Sequence, residues 1–295
     1  MIKKISIIGA GYVGSSIAYS LMLIEAAEEI ALIDVNPVAV NAEVADIRPG
    51  LSAISPSKVY RGSYADAADS DIIIVTAGVS RKPNESRLDL IGKNAAIARE
   101  IAQNLKTNDA HGIVVVVSNP VDVITRIFAE ELNELSGRVF GTGGILDSAR
   151  FRSVLADFLN VSESSVQAFV AGEHGAGQVP LWSSVRINGN PVELNEADKQ
   201  KIAAKVANTG AEIIAGKGRT HYGIAGCVAY IVNEMKEHHQ TLLSLTFPVS
   251  AGKACVSRPC MLTENGVKEI EACLSEAELT LINQAMAKLE RVTNG

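Results

Sequence analysis

Lys4-Ile5-Ser6-Ile7-Ile8-Gly9-Ala10-Gly11-Tyr12-Val13-Gly14 is the stretch from which the fold can be read. A short apolar run reads as a buried strand, and it passes at once into a glycine turn and a helical pattern from Val13 to Ile24. In that context the first glycine permits a tight turn, and the second lets backbone amides approach a pyrophosphate. The third lets helix and strand pack closely. The phosphates would sit at a helix N-terminus, where free N–H groups and the dipole favour negative charge. Asp34 ends the next apolar strand, Ile30 to Ile33, where its carboxylate can accept hydrogen bonds from an adenosine ribose. The same carboxylate would repel a 2′-phosphate, so the expected cofactor is NAD and not NADP.

Beyond this stretch, short apolar runs alternate with longer helical patterns: Ile72 to Val75 then Arg87 to Leu105, and Ile113 to Val117 then Val121 to Leu135. Strands apolar at every position suit a parallel sheet covered on both faces. The expectation is an α/β chain whose N-terminal domain is a doubly wound parallel-sheet Rossmann domain. Thr76-Ala77-Gly78 and Val117-Ser118-Asn119-Pro120 are further strand ends at the carboxyl edge, where such ligands lie. After Val139-Phe140-Gly141 the pattern changes. A helix from about Leu146 to Leu159 is followed by short strands at Val166 to Val170 and Ser183 to Ile187. Helical stretches follow, Glu196 to Ile214 and from Tyr222, then strands at Thr241 to Val249 and Cys255 to Leu262, and a closing helix from Ser275 to Arg291. This reads as a C-terminal α+β substrate domain, with residues 1–143 binding the nucleotide and 144–295 the substrate.

With 295 residues, 47% of them hydrophobic, the chain can bury one large core or two fused ones. The net charge of -6 provides no broad basic surface, so nucleic acid and anionic membranes are poor partners. Cys227, Cys255, Cys260 and Cys273 match neither a zinc pair nor a repeated disulfide framework and are expected to be reduced; no metal site is expected. No signal-peptide pattern precedes the first strand, and no apolar run reaches the roughly 20 residues needed to cross a bilayer. A cytoplasmic location is the expectation.

Of the five histidines, His174 alone sits in a glycine-rich loop, Ala171-Gly172-Glu173-His174-Gly175, after a strand. Asp147 and Arg150 are spaced i, i+3 on a predicted helix and project from one face. One carboxylate can orient an imidazole, and one guanidinium can grip a substrate carboxylate in a fork. Read alone, the pair also admits the lesser reading of a surface ion pair on a helix.

At these residues the sequence resembles the lactate and malate dehydrogenase family. The resemblance covers essentially the whole chain, through the glycine turn, the Gly78 to Leu90 loop, Asn119-Pro120-Val121-Asp122, Leu146 to Arg152, Gly172 to Gly175, and Thr220 to Ala225. It implies that His174 exchanges a proton with the substrate oxygen while Asp147 fixes its tautomer. It implies further that Arg150 binds the C1 carboxylate and that Arg87 polarises the carbonyl from a closing loop. Asn119 would touch substrate and nicotinamide, Thr220 the far wall of the pocket, and Tyr64 and Val13 the adenine or pyrophosphate. The substrate implied is a small L-2-hydroxy or 2-oxo acid, and the assembly a homodimer or homotetramer.

Which acid is turned over depends on Arg81, six residues before Arg87, where the lactate branch commonly carries glutamine and the malate branch arginine. A cation facing the C3 substituent would pair with the second carboxylate of oxaloacetate. Glu85, the Ser86-Arg87-Leu88-Asp89-Leu90 run, Val179-Pro180-Leu181-Trp182-Ser183 and Thr220-His221-Tyr222-Gly223 resemble the lactate branch instead. Pyruvate and L-lactate are therefore the leading expectation, with oxaloacetate and L-malate the alternative. Gln167 stands where enzymes activated by fructose 1,6-bisphosphate carry a histidine, although Arg152 is present, so weak or absent activation is expected. Ala176 replaces the family's usual aspartate.

Overall fold

In the computed structural model, residues 2–79, 87–133, 137–248 and 254–294 are described. The first half runs β1 (Lys4–Ile8), α1 (Tyr12–Leu23), β2 (Glu29–Ile33), α2 (Pro37–Leu51), β3 (Lys58–Arg61), α3 (Tyr64–Ala68), β4 (Ile72–Val75), α4 (Arg87–Thr107), β5 (Ile113–Val116), α5 (Val121–Glu131) and β6 (Val139–Gly141). These strands are parallel in the order β3-β2-β1-β4-β5-β6, which reverses direction between β1 and β4. A doubly wound sheet of this order opens a ligand crevice at that reversal, outside the carboxyl ends of its strands.

Alternation along each strand divides the core. Ile5, Ile7, Ile30, Leu32, Ile72, Ile74 and Val115 face one way, toward Ile17 and Leu21 of α1. Ile8, Ile33, Ile73, Val75, Val114 and Val116 face the other way, toward Ala98 and Leu105 of α4 and Ile124 and Phe128 of α5. A residue such as Ile74, fully buried, is worth about 2–5 kcal/mol against alanine.

The second half comprises α6 (Gly143–Leu159), β7 (Val166–Gln167), β8 (Val170–Gly172), β9 (Gln178–Pro180), β10 (Arg186–Ile187), β11 (Asn190–Pro191), α7 (Glu196–Lys217), α8 (Tyr222–Lys236), β12 (Thr241–Pro248), β13 (Cys255–Thr263), β14 (Gly266–Glu269) and α9 (Glu276–Asn294). The large sheet does not stop at residue 143. β12 pairs antiparallel with β6 through Thr246 and Gly141, and β13, β14, β8 and β9 extend it to eleven strands. Helix α8 lays Val228 and Val232 into the same core as α1, and α9 lays Ile282 and Leu289 into the core of α4 and α5. A third cluster joins Phe151 and Leu155 of α6 to Ile202 and Val206 of α7.

The strand expected at Ser183 to Ile187 is instead a 3-10 turn at Trp182–Ser184 followed by the short β10. The Ser183 amide and hydroxyl both donate to Glu278 of α9, at 3.0 and 2.6 Å, which turns the chain away from a ladder. Cys227, Cys255, Cys260 and Cys273 are all free thiols. Among the described residues no helix is long and apolar enough to cross a membrane.

Candidate active site

The glycine turn has the shape its sequence requires. Gly9 has φ +111°, and a Cβ there would lie 2.6 Å from the Ala77 nitrogen; a Cβ at Gly14 would lie 1.8 Å from the Gly9 carbonyl oxygen. Gly11 faces open space, with nothing within 4 Å of where its Cβ would be. It is also the N-cap of α1 and supplies no side-chain cap, so the first-turn amides remain available to a ligand. Asp34, at the end of β2, accepts from the Ala10 amide at 2.7 Å and the Asn36 amide at 2.9 Å. A carboxylate at the turn and an open berth beside bare amides are what an NAD pyrophosphate and ribose require, so these residues fit the cofactor.

Two strand ends close the crevice. Asn94 of α4, buried, accepts from the Val79 amide at 2.8 Å and donates to the Val79 carbonyl at 3.2 Å and the Asn119 carbonyl at 2.7 Å. One amide side chain thus ties the segment after β4, including Gly78, to the segment after β5. The Ser118 hydroxyl donates to the Ala77 carbonyl at 2.6 Å, a second bond across the same two segments. Asn119 is exposed, with its Oδ1 accepting from Val121 at 3.3 Å. Val13 is half-buried in α1, and Tyr64, half-buried at the start of α3, has its phenol pushed up by burial and by the charges of Glu100 and Asp34.

The chemical residues converge from three elements. His174 Nδ1 lies 2.8 Å from Asp147 Oδ2, and Arg150 donates to Asp147 Oδ1 at 3.2 Å. The Asp147 side chain is 5% exposed and that of His174 25%, so a buried carboxylate backs a ring that remains partly exposed. The loop bearing His174 is fixed from below. Ser148 of α6 accepts from the Val170 amide at 2.9 Å, and the Ser244 hydroxyl bonds the Val170 carbonyl.

Asp122, on the first turn of α5, accepts from the His174 backbone amide at 2.8 Å and from the Thr246 hydroxyl at 2.9 Å; Thr246 meets Ser257 at 2.8 Å. Burial pushes the Asp122 carboxyl up to about 6 against the pull of these bonds. Burial lowers the His174 ring, but the Asp147 hydrogen bond and charge, with the Asp122 charge, outweigh it and raise the ring above its ordinary 6.5.

Thr220 is half-buried just before α8, in a segment that reaches α1, with the His221 ring centroid 6.0 Å from that of Tyr12. Arg152, largely buried, donates to the Ala168 carbonyl at 3.4 Å. Arg81 and Glu85 lie outside the described residues, as does the side chain of Arg87, whose backbone opens α4. Asp122, Asn94 and Ser148 carry the geometry without having been singled out in the sequence. Asp122 and Ser148 had a signal there, as members of the Asn119-Pro120-Val121-Asp122 and Leu146 to Arg152 stretches; Asn94 had none.

A carboxylate-backed imidazole held to the carboxyl edge of a dinucleotide sheet, with a guanidinium beside it, defines a nicotinamide-dependent dehydrogenase of hydroxy acids. Comparison with known proteins gives the family. Residues 3–141 match the model for the lactate/malate dehydrogenase NAD binding domain, and residues 145–294 that for the family's alpha/beta C-terminal domain. The chain belongs to the lactate/malate dehydrogenase family and is an NAD-dependent oxidoreductase. It is 34% identical to an L-lactate dehydrogenase of Acetivibrio thermocellus over 99% of this chain and 96% of that protein. It is 36% identical to one of Lactococcus lactis subsp. cremoris, over 98% and 97%. The ligand-bound minor L-lactate dehydrogenase of Enterococcus mundtii superposes with a TM-score of 0.95 at 35% identity, covering 99% of this chain and 98% of that one.

Proposed function

We propose that the chain interconverts pyruvate and L-lactate, and that His174, Asp147, Arg150 and Arg87 carry the reaction. The observation that supports this most is the 2.8 Å bond from His174 Nδ1 to Asp147, which leaves Nε2 for the substrate oxygen. NAD, when bound, supplies a hydride acceptor or donor. In the reductive direction the carbonyl oxygen becomes an alkoxide and takes the proton from Nε2, while Asp147 stabilises the imidazolium until it gives that proton up. In the oxidative direction the neutral ring receives the hydroxyl proton. Arg150 holds the substrate carboxylate with paired hydrogen bonds, its guanidinium kept in place by Asp147. Arg87 polarises the carbonyl. Gly9, Gly11, Val13, Gly14, Asp34, Tyr64, Gly78, Ser118 and Asn119 line the NAD berth, and Thr220 closes the far wall.

Arg81 favours a second reading, in which the substrate carries a second carboxylate and is oxaloacetate or L-malate. Steady-state NADH oxidation separates the two: a higher kcat/KM for oxaloacetate than for pyruvate overturns the first reading. In that assay Arg81→Gln is expected to keep pyruvate turnover and cut oxaloacetate turnover, and an unchanged preference would remove Arg81 from the pocket.

The working division is residues 1–143 for NAD and 144–295 for substrate. A cytoplasmic homodimer or homotetramer is the assembly we infer, supported by Leu23, Val38, Ile54, Ile214 and Tyr230, which lie exposed on or beside α1, α2, α7 and α8. Gln167, exposed on β7, offers no cation beside Arg152, which supports weak or absent activation by fructose 1,6-bisphosphate.

A further inference from the structure

Helix α7 ends at Lys217, where Gly218 takes left-handed backbone with φ 80° and closes its N–H on the Ile214 carbonyl at 2.8 Å. That turn delivers Arg219 and His221 against the first residue of α1. The Arg219 guanidinium carbon stands 3.7 Å from the Tyr12 ring centroid, and the His221 ring packs 4.0 Å from that of Tyr222. Tyr12 is the first helical residue of α1. Its Cβ leans back toward the helix N-terminus, the end at which Gly11 stands open.

Two observations give this cluster a purpose. The strands and turns that form the nucleotide crevice carry no basic side chain from Ile5 to Ser20, from Ile72 to Val79 or from Val114 to Val121. A pyrophosphate there would meet amides but no cation from those segments. The α7–α8 junction holds what is missing: Arg219 is exposed on a ring face. Beside it His221 is 8% exposed, and its Nδ1 is buried without a hydrogen-bond partner.

We propose that Arg219 is a cofactor-binding residue: it exchanges the Tyr12 ring face for the dinucleotide's pyrophosphate, from a segment that the buried His221 ring packs beside Tyr12 and Tyr222. An exposed cation–π contact is weaker than a guanidinium–phosphate fork, so the exchange is favourable. The second half of the chain then grips the cofactor through Arg219 as well as the substrate through Thr220. The inference rests on reading Gly9 to Gly14 as the nucleotide turn.

Calorimetric titration with ADP-ribose, which carries the pyrophosphate, and with adenosine, which lacks it, tests the assignment without turnover. Arg219→Gln is expected to weaken ADP-ribose binding about tenfold, to leave adenosine binding unchanged, and to lose less at high ionic strength than at low. Unchanged ADP-ribose affinity in the variant, or an equal loss for adenosine, overturns the proposal. Failure of the unsubstituted protein to bind either ligand would sink the nucleotide-turn reading itself, a different result from a selective failure at Arg219.

Discussion

Asp122→Asn separates the charge of the buried carboxylate from its hydrogen bonds. The asparagine oxygen can still accept from the His174 amide. Its NH2 group can donate to Thr246, whose hydroxyl then donates to Ser257, so the network observed around Asp122 survives with one bond reversed. What disappears is a buried charge. Raising the carboxyl from 3.8 to about 6 means that holding it ionised in the fold costs about 3 kcal/mol relative to the unfolded chain. Because the folded value lies above the unfolded one, this cost is absent below about pH 4 and grows as pH rises through about 6. The variant lacks it at every pH. Urea unfolding of both proteins is expected to show the stability difference moving in favour of the variant by about 2 kcal/mol between about pH 4.5 and about pH 7.5. Parallel stability curves would refute the reasoning, since they would mean that the hydrogen bonds fully offset the burial of Asp122.

Three further outcomes follow from the chemical residues. His174→Asn should lower turnover by about 10²–10⁴ while NADH fluorescence still reports binding; substantial residual activity would reassign the proton donor. Because the His174 ring is raised above 6.5, kcat/KM for keto-acid reduction should hold level at low pH and fall as pH rises through that raised value, with oxidation showing the opposite limb. A reductive profile rising with pH would contradict the imidazolium as donor. Arg150→Lys keeps the charge but loses the fork, so KM for the keto acid should rise about tenfold or more, and an unchanged KM would show that the carboxylate binds elsewhere.

The motifs were legible because their signals are local. Gly9 to Gly14 is a steric specification written in consecutive residues, and Asp147 with Arg150 declares a shared helical face through spacing alone. The runs at β4 and β5 are buried at every position, and their composition says so. What could not be read depends on partners far along the chain. β9 and β14, of three and four residues, exist because β8 and β13 lie beside them. Asn94 on α4 is an ordinary polar residue until folding carries it to Val79 and Asn119. The Asp122 carboxylate receives an amide 52 residues away, a pairing that no periodicity encodes.

The single ladder that runs from β3 through β6 into β12 and β13 has a mechanical consequence. The glycine turn after β1 and the loop bearing His174 are bolted to one plate, so neither half can swing on the other without tearing backbone bonds between Gly141 and Thr246. Neither half is a spare part either: a cut near residue 143 would strip the cover from β6 and leave a raw edge, a template for pairing with any chain that met it.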